Sequence, residues 1–276
     1  MSVANAITAG IIYALTELLG LSGSGHLAVV NKLFDLHLTE QHLLFKAFTE
    51  LAVMLALMLA YRRELAAMIR DTAGLTGFGR VRPSGGGRYP EARLLFMLAV
   101  STLPLLMMLP FRKAYFGLWN STSFVGVMFL LNGLVFYVCE RMLPGKKGLG
   151  RMSVPDALIV GICQAVAVIP GISRLSVTVT GASAEGFQKS LAIRFGMLMA
   201  IPAMFGAFIL SLADAAVAGI DSTFLSSYLA GGAAALVTAF FTIYLFRYIT
   251  RRRGYGGLAD YCWVIGILSI ILTLIF

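Results

Sequence analysis

Six long runs of apolar residues, nearly free of charge, constrain the fold of this chain more than any other feature. A helix needs about 20 residues to cross a hydrocarbon core about 30 Å thick. Of the 276 residues, 59% are hydrophobic and 13% are charged, whereas soluble domains carry about 25% charged residues. The apolar residues run continuously rather than alternating, which excludes a transmembrane β-barrel. The sequence therefore predicts an all-α integral membrane protein with six spans, at residues 43–61, 94–111, 122–140, 190–213, 224–248 and 260–276.

Two stretches rich in glycine and serine interrupt the apolar sequence. We name residues 10–26 the first break and residues 161–178 the second break. A shift of 151 residues, from 10 to 161, superimposes Gly10 on Gly161, Gly20 on Gly171 and Ser22 on Ser173. The two breaks therefore read as diverged copies of one segment, and their polar residues make them the predicted location of function.

Basic residues are distributed unevenly among the connections. Residues 62–93, 141–155, 186–194 and 247–260 hold 17 Lys and Arg residues, whereas 31–42, 111–121 and 214–222 hold 3. Because cytoplasmic loops are enriched in basic residues, the first group is predicted to lie in the cytoplasm. The distribution of basic residues is consistent with every membrane crossing only if each break enters and leaves the membrane on the same side, as a re-entrant helical hairpin. The single membrane domain, 1–276, then comprises two inverted-topology repeats, 1–141 and 142–276.

Charge and composition also bear on partners. The formal net charge of +9 does not indicate nucleic-acid binding, because the basic residues cluster at the ends of apolar runs and orient helices. The three cysteines have no spacing typical of metal or redox sites. Residues 72–89 are predicted to form a flexible loop, and Gly231 and Gly232 allow close helix contact within the chain or in a homodimer.

Arg174, in the second break, is the strongest candidate for anion binding. It is flanked by apolar sequence too long for a surface loop, and a guanidinium there needs an anionic partner. Its forked geometry matches two phosphate or carboxylate oxygens. The alternative is an internal ion pair with Glu17 or Glu50, and this alternative also implies a polar cavity.

Four further ionisable residues are candidates for chemistry or for an ion pair. Glu17 and Glu50 could each bind a divalent cation, act as a base or neutralise a cation. Lys46 precedes Glu50 by one helical turn, so an i,i+4 ion pair is the structural alternative for both. His26, at the end of the first break, is interpreted as a general acid or base, with a purely structural hydrogen-bonding role as the alternative.

Several hydroxyl groups accompany these residues in the breaks. They could donate to a phosphate group or satisfy the ends of helices. The hydroxyl residues concerned are Ser22, Ser24, Ser173, Ser176 and Thr178.

Both breaks resemble the signature motifs of the bacterial undecaprenyl pyrophosphate phosphatase family. The first motif, E-G-x-T-E-F-L-P-[IV]-S-S-[ST]-G-H, corresponds to residues 13–26, and the second, P-G-x-S-R-S-G-x-T, to residues 170–178. The sequence departs from these motifs at Tyr13 (family Glu), Gly20 (family Pro) and Gly23 (family Ser), and Leu175-Ser176 replaces Ser-Gly.

The resemblance implies a multi-pass protein of the bacterial inner membrane that removes the terminal phosphate of a C55 polyprenyl pyrophosphate. By position, Glu17, His26 and Arg174 correspond to catalytic residues, and Ser22, Ser24, Ser173, Arg174, Ser176 and Thr178 to phosphate-binding residues. It also implies a divalent cation, Mg²⁺ or Ca²⁺, with Glu17 as its ligand. Because Tyr13 and Gly23 replace family residues, a second hypothesis stays open: a non-hydrolytic protein that binds or translocates a lipid phosphate or another anion.

Overall fold

The computed structural model describes residues 1–34, 42–75, 89–112, 117–219 and 222–275. Within these ranges the chain is helical and forms no strand, apart from an isolated bridge between Lys147 and Phe187. The α-helices are α1 (Val3–Leu18), α2 (Gly23–Phe34), α3 (Leu43–Ala60), α4 (Arg62–Leu75), α5 (Pro90–Leu106), α6 (Thr122–Arg141), α7 (Val154–Val166), α8 (Arg174–Ala184), α9 (Lys189–Ala218), α10 (Leu225–Arg252) and α11 (Gly256–Ile275).

The six predicted spans are confirmed. Helices α3, α6, α9, α10 and α11, together with α5 continued to Phe111, are long and apolar enough to cross a membrane. The chain is therefore a multi-pass membrane protein. The predicted loop 72–89 begins in a helix instead, because α4 continues to Leu75 and is held to the bundle by the buried side chain of Met68. Residues 76–88 of that loop lie outside the described ranges.

Polar residues mark the helix starts. The hydroxyl of Ser121 accepts the amide of Phe124 at the start of α6. At the start of α7, Ser153 and Asp156 form a capping box, in which each side chain accepts the other residue's backbone amide. These caps fix where α6 and α7 begin. Helix α6 carries Asn132, and α7 precedes the loop that leads to Arg174.

Each break runs from one short helix into the next. The first break leaves residues 19–22 non-helical between α1 and α2, and the second leaves residues 167–173 outside α7 and α8. Gly20 has a φ of +77° and Gly171 a φ of +96°, so the aligned glycines supply the left-handed backbone at the same place in each copy. At 1.5 Å per residue, α2 and α8 are about 18 Å and 16 Å long, well short of the membrane core.

The contacts made by α1 and α2 correspond to those made by α7 and α8. Helix α1 packs against α10 as α7 packs against α5, and α1–α2 contacts correspond to α7–α8 contacts. The aligned glycines make equivalent contacts: a Cβ at Gly10 would lie 2.3 Å from the carbonyl oxygen of Gly231, and a Cβ at Gly161 would lie 2.3 Å from that of Ser101. Glycine permits this close backbone approach at both crossings.

Gly231 and Gly232 make their close contacts within the chain. A Cβ at Gly231 would meet the carbonyl oxygen of Ala6 at 2.6 Å, and a Cβ at Gly232 would meet Phe48 Cβ at 3.4 Å. The homodimer stays a prediction.

Candidate active site

The two breaks meet in the interior through Ser22. Its hydroxyl oxygen accepts the backbone amide of Gly171 at 3.1 Å and that of Gly25 at 3.3 Å. Ser22 has a φ of +69°, which an L residue rarely adopts. The absence of a side chain at Gly25 lets the breaks touch, because a Cβ there would lie 2.9 Å from the backbone of Gly171.

Asn132, on the spanning helix α6, clamps both breaks and is completely buried. Its Nδ2 donates to the carbonyl oxygen of Gly20 at 2.9 Å in the first break. Its Oδ1 accepts the amide of Ser173 at 2.9 Å and the hydroxyl of Ser176 at 2.5 Å in the second break. One side chain thereby fixes the position of the loop that precedes Arg174.

Arg174 and Glu17 form an ion pair between the breaks. Arg174 Nε and Nη2 each lie 3.0 Å from Glu17 Oε1, and Nη2 also lies 3.3 Å from the sulfur of Met204. The other carboxylate oxygen, Glu17 Oε2, accepts the amide of Gly23 at 3.0 Å. The Arg174 side chain retains 18% of its exposure and that of Glu17 retains 6%, so the pair is largely desolvated. Such a pair holds the guanidinium in one orientation.

A cavity of about 170 Å³ lies beside this ion pair. One part of its wall is charged and is formed by Glu17, Lys46, Glu50, Arg112 and Arg174. Another part is apolar and includes Leu105, Leu106, Leu109, Val168, Pro202 and Leu210. The cavity thus offers surfaces that suit a ligand with an anionic head and an apolar tail.

Two helix α3 residues contribute charge to the wall. The ammonium of Lys46 lies 4.3 Å from the centre of the Trp119 ring, which is a cation–π contact. Glu50 is buried, and its Oε2 has no hydrogen-bond partner among the described residues. Arg112, which also lines the cavity, pairs with Asp214 on α9.

The structure divides the predicted hydroxyl residues into two groups. Ser24 lines the cavity with Arg174 and Glu17. The others are buried: the Ser22 hydroxyl accepts from the second break, the Ser176 hydroxyl donates to Asn132, and the Thr178 hydroxyl donates to the carbonyl of Arg174 within its own helix. The hydroxyl of Ser173 is buried without a partner among the described residues.

His26 lies outside the described cavity wall. Its Nδ1 is 2.8 Å from the carbonyl oxygen of Ser22, and its Nε2 is 3.0 Å from the hydroxyl of Tyr261. The ring contacts Phe129 edge-on and stacks on Tyr261. Since the geometry gives both nitrogens a partner, the acid–base role of His26 stays a prediction.

The donor set near Arg174 does not match a divalent cation held by protein ligands alone. Among the described residues, no three or more His, Cys, Asp or Glu side chains form a group that could hold a metal ion. Glu17, the predicted ligand, has both oxygens engaged by Arg174 and Gly23. Ca²⁺ takes about six to eight oxygen ligands, and Mg²⁺ is usually held by one or two carboxylates, water and substrate phosphates, so a cation here would need oxygens from the substrate and from water. The Mg²⁺ or Ca²⁺ cofactor therefore stays a prediction.

Asn132 is the site residue that sequence reasoning missed. Its signal was available, because a lone amide inside an apolar span needs polar partners at membrane depth. No comparable pattern predicts that Trp119 lines the cavity, because it lies in the connection between α5 and α6 rather than in an apolar span.

Fold and site together define a helical multi-pass membrane protein with an internal cavity that is charged on one side and apolar on the other. The chain belongs to the family described as bacitracin resistance protein BacA, which matches residues 6–268.

Curated relatives are similar to this chain over nearly its whole length. A protein of Carboxydothermus hydrogenoformans is 30% identical, with 97% of this chain and 96% of the relative covered. One from Desulforapulum autotrophicum is 32% identical with 98% of each covered, and one from Alkaliphilus metalliredigens is 32% identical with all of each covered. All three carry the name undecaprenyl-diphosphatase.

Proposed function

We propose that this protein is an undecaprenyl-diphosphatase, which hydrolyses undecaprenyl pyrophosphate to undecaprenyl phosphate and inorganic phosphate. The observation that most strongly supports this proposal is the Arg174–Glu17 ion pair. It places an oriented guanidinium at the wall of a cavity whose other side is apolar. The name shared by the relatives supports the same reaction.

The lipid pyrophosphate fits the two kinds of wall. Its head group carries several negative charges and requires cations, which Arg174 and Lys46 supply. Its polyprenyl tail lies along the apolar side formed by the end of α5 and by α9. Because this side is as apolar as the lipid phase, moving the tail there costs little free energy. Transfer of the phosphate end, rather than the whole molecule, into the cavity is sufficient for reaction.

Arg174 binds the pyrophosphate and stabilises the charge that develops on the transferred phosphoryl group. Glu17 acts as a positioning residue, since its carboxylate holds the guanidinium. Ser24 donates to a phosphate oxygen from the same wall. The roles of Ser22, Ser173, Ser176 and Thr178 in phosphate binding are indirect in this mechanism, through the position of the second break.

The two halves of the chain, 1–141 and 142–276, are inverted repeats with re-entrant hairpins at α1–α2 and α7–α8. The corresponding helix contacts, the equivalent Gly10 and Gly161 crossings and the positive φ values of both break glycines support this topology. The short lengths of α2 and α8 support a return to the same side.

The protein lies in the inner membrane, and the cavity opens toward the outer face. Arg112 and Trp119 come from the connection between α5 and α6, which carries few basic residues. The opposite ends of these helices adjoin the basic connections 62–93 and 141–155, which the positive-inside rule assigns to the cytoplasm.

The test is release of inorganic phosphate from undecaprenyl pyrophosphate by the purified protein in detergent. Arg174→Ala should abolish release, and His26→Ala tests the predicted acid–base role in the same assay. A control, Arg252→Ala, removes an exposed guanidinium at the end of α10 and should leave release unchanged. A folded wild-type protein that binds the lipid and releases no phosphate would support the binding or translocating hypothesis instead.

A further inference from the structure

We propose that Glu50 is the general base that activates the attacking water. This inference rests on the proposed hydrolytic function and names the group that removes the proton. Neither of the two motifs that carry the family resemblance contains this residue, which lies on the spanning helix α3.

The state of the Glu50 carboxylate motivates the assignment. The residue is only 3% exposed and lines the cavity with Arg174, yet its Oε2 has no hydrogen-bond partner among the described residues. Buried polar atoms are nearly always hydrogen-bonded, and leaving one unsatisfied costs about 1–3 kcal/mol. The terminal torsion of a glutamate is broad, so the Glu50 carboxylate can turn an oxygen toward the cavity that it lines. An acceptor held in this state is available for the proton of a water molecule.

The other candidate groups are less suited to the role. Both carboxylate oxygens of Glu17 are engaged, by Arg174 and by the amide of Gly23. His26 lies outside the described wall, with a partner at each ring nitrogen. The family serine is replaced by Gly23, so this chain has no hydroxyl at that position and direct attack by water is the simpler route.

The reaction balances with these groups. A water oxygen attacks the terminal phosphorus while Glu50 accepts one of its protons, and the bond from that phosphorus to the bridging oxygen breaks. Undecaprenyl phosphate leaves as the dianion, which is stable enough at neutral pH to depart without a proton. Glu50 then returns its proton to solvent as inorganic phosphate dissociates.

Charged and titratable groups surround Glu50 on several helices. Lys46 lies one turn away on α3, Tyr13 and Glu17 face the cavity from α1, Arg174 from α8, and Arg112 from the segment after α5. The hydroxyl of Ser211, on α9, lines the same wall. Lys46 and Arg174 contribute positive charge to the wall that Glu50 lines, and Glu17 is paired with Arg174.

The experiment compares Glu50→Gln and Glu50→Asp with the wild type in the phosphate-release assay across pH. A matched control, Glu185→Gln, removes a carboxylate outside the cavity wall. General-base catalysis contributes about 100-fold or more, so Glu50→Gln should lower kcat by at least that factor. The acid limb of the kcat profile should disappear in Glu50→Gln and persist in Glu50→Asp, His26→Ala and Glu185→Gln.

Two further readouts separate a catalytic role from a structural one. Binding of a polyprenyl methylene-bisphosphonate, whose P–C–P linkage resists hydrolysis, should stay within about threefold of wild type in Glu50→Gln, since a general base contributes to the reaction rather than to ground-state binding. Added formate should restore part of the activity of Glu50→Gly by supplying a carboxylate.

Glu50→Gln activity within about twofold of wild type, with the acid limb retained, overturns this inference and leaves the proposed function intact. A wild-type protein that releases no phosphate overturns the proposed function first. A Glu50→Gln protein that neither hydrolyses nor binds the bisphosphonate, together with an inactive Glu50→Asp and no formate rescue, assigns Glu50 a structural role and also overturns the inference.

Discussion

The backbone amide of Gly171 donates a hydrogen bond to the hydroxyl of Ser22 at 3.1 Å, which joins two segments separated by 149 residues of sequence. The contact requires both breaks, because it joins the non-helical residues between α1 and α2 to those between α7 and α8. The interior of the protein therefore depends on both halves being folded, and the position of Arg174 depends on a bond made far from its side chain.

Ser22→Ala should lower the stability of the protein and also its activity. The substitution leaves two buried amides, of Gly171 and Gly25, without their acceptor, at a cost of about 1–3 kcal/mol each. The measurement is thermal unfolding of the purified protein in detergent. Ser269→Ala is the control, because the Ser269 hydroxyl donates to the carbonyl of Ile265 in its own helix. Equal unfolding midpoints for the two variants would contradict the structural role of Ser22.

Asn132→Asp should impair activity more than its small change in size suggests. The new carboxylate still accepts from Ser173 and Ser176, but an oxygen replaces the Nδ2 donor opposite the carbonyl of Gly20. Two acceptors then face each other in a buried site, which costs more than loss of one hydrogen bond. We expect at least a tenfold loss of phosphate release.

Thr242→Val serves as the control for the Asn132 variant. Thr242 is a buried polar residue of α10 whose hydroxyl bonds to the carbonyl of Thr238 in the same helix. Phosphate release by Asn132→Asp that matches this control would show that the clamp between the breaks is dispensable.

The sequence was sufficient to predict the helical class and the six spans, since hydropathy and length determine which segments can cross a membrane. The alignment of Gly20 with Gly171 indicated two copies of one segment, and both glycines have a positive φ. The sequence alone does not determine which side chains lie within bonding distance of each other. The sequence offered Glu17 or Glu50 as the partner of Arg174, and the fold selected Glu17.

The predicted site was less complete for a physical reason. Composition identifies which polar residues are buried, but the rotation of each helix about its axis decides which of them face one cavity. His26 and Ser24 lie two residues apart at the start of α2, yet Ser24 lines the cavity and His26 packs against Phe129 and Tyr261. The lone amide of Asn132 predicts polar partners but not which ones, because these come from two distant segments.

Gly10→Ala and Gly161→Ala should destabilise the protein by similar amounts. Each new Cβ would lie 2.3 Å from a backbone carbonyl oxygen, of Gly231 or Ser101, so a helix pair must separate in either case. Thermal unfolding measures the effect, with Gly257→Ala as the control because a Cβ there meets nothing within 4 Å. A large effect at Gly10 with none at Gly161 would contradict the proposed inverted repeat.

Gly23→Ser, which restores the serine of the family motif, should reduce both stability and phosphate release in this chain. A Cβ at Gly23 would lie 2.7 Å from the carbonyl oxygen of Tyr13 and 2.9 Å from Glu17 Oε2. The first contact is with backbone and cannot be relieved by a side-chain rotation, and the second disturbs the carboxylate that holds Arg174. We expect about a tenfold loss of kcat, since orientation of the guanidinium is part of the catalytic geometry.

The control is Gly117→Ser, where a Cβ meets nothing within 4 Å. Adding Tyr13→Glu should not rescue Gly23→Ser, because the collision at position 13 is with the carbonyl oxygen, which every residue carries. If Gly23→Ser instead raised phosphate release above wild type, a hydroxyl at this position would be usable in this cavity. Attack by water with Glu50 as the base would then be one of two accessible routes, and the loss of the serine would have slowed the enzyme rather than redirected it.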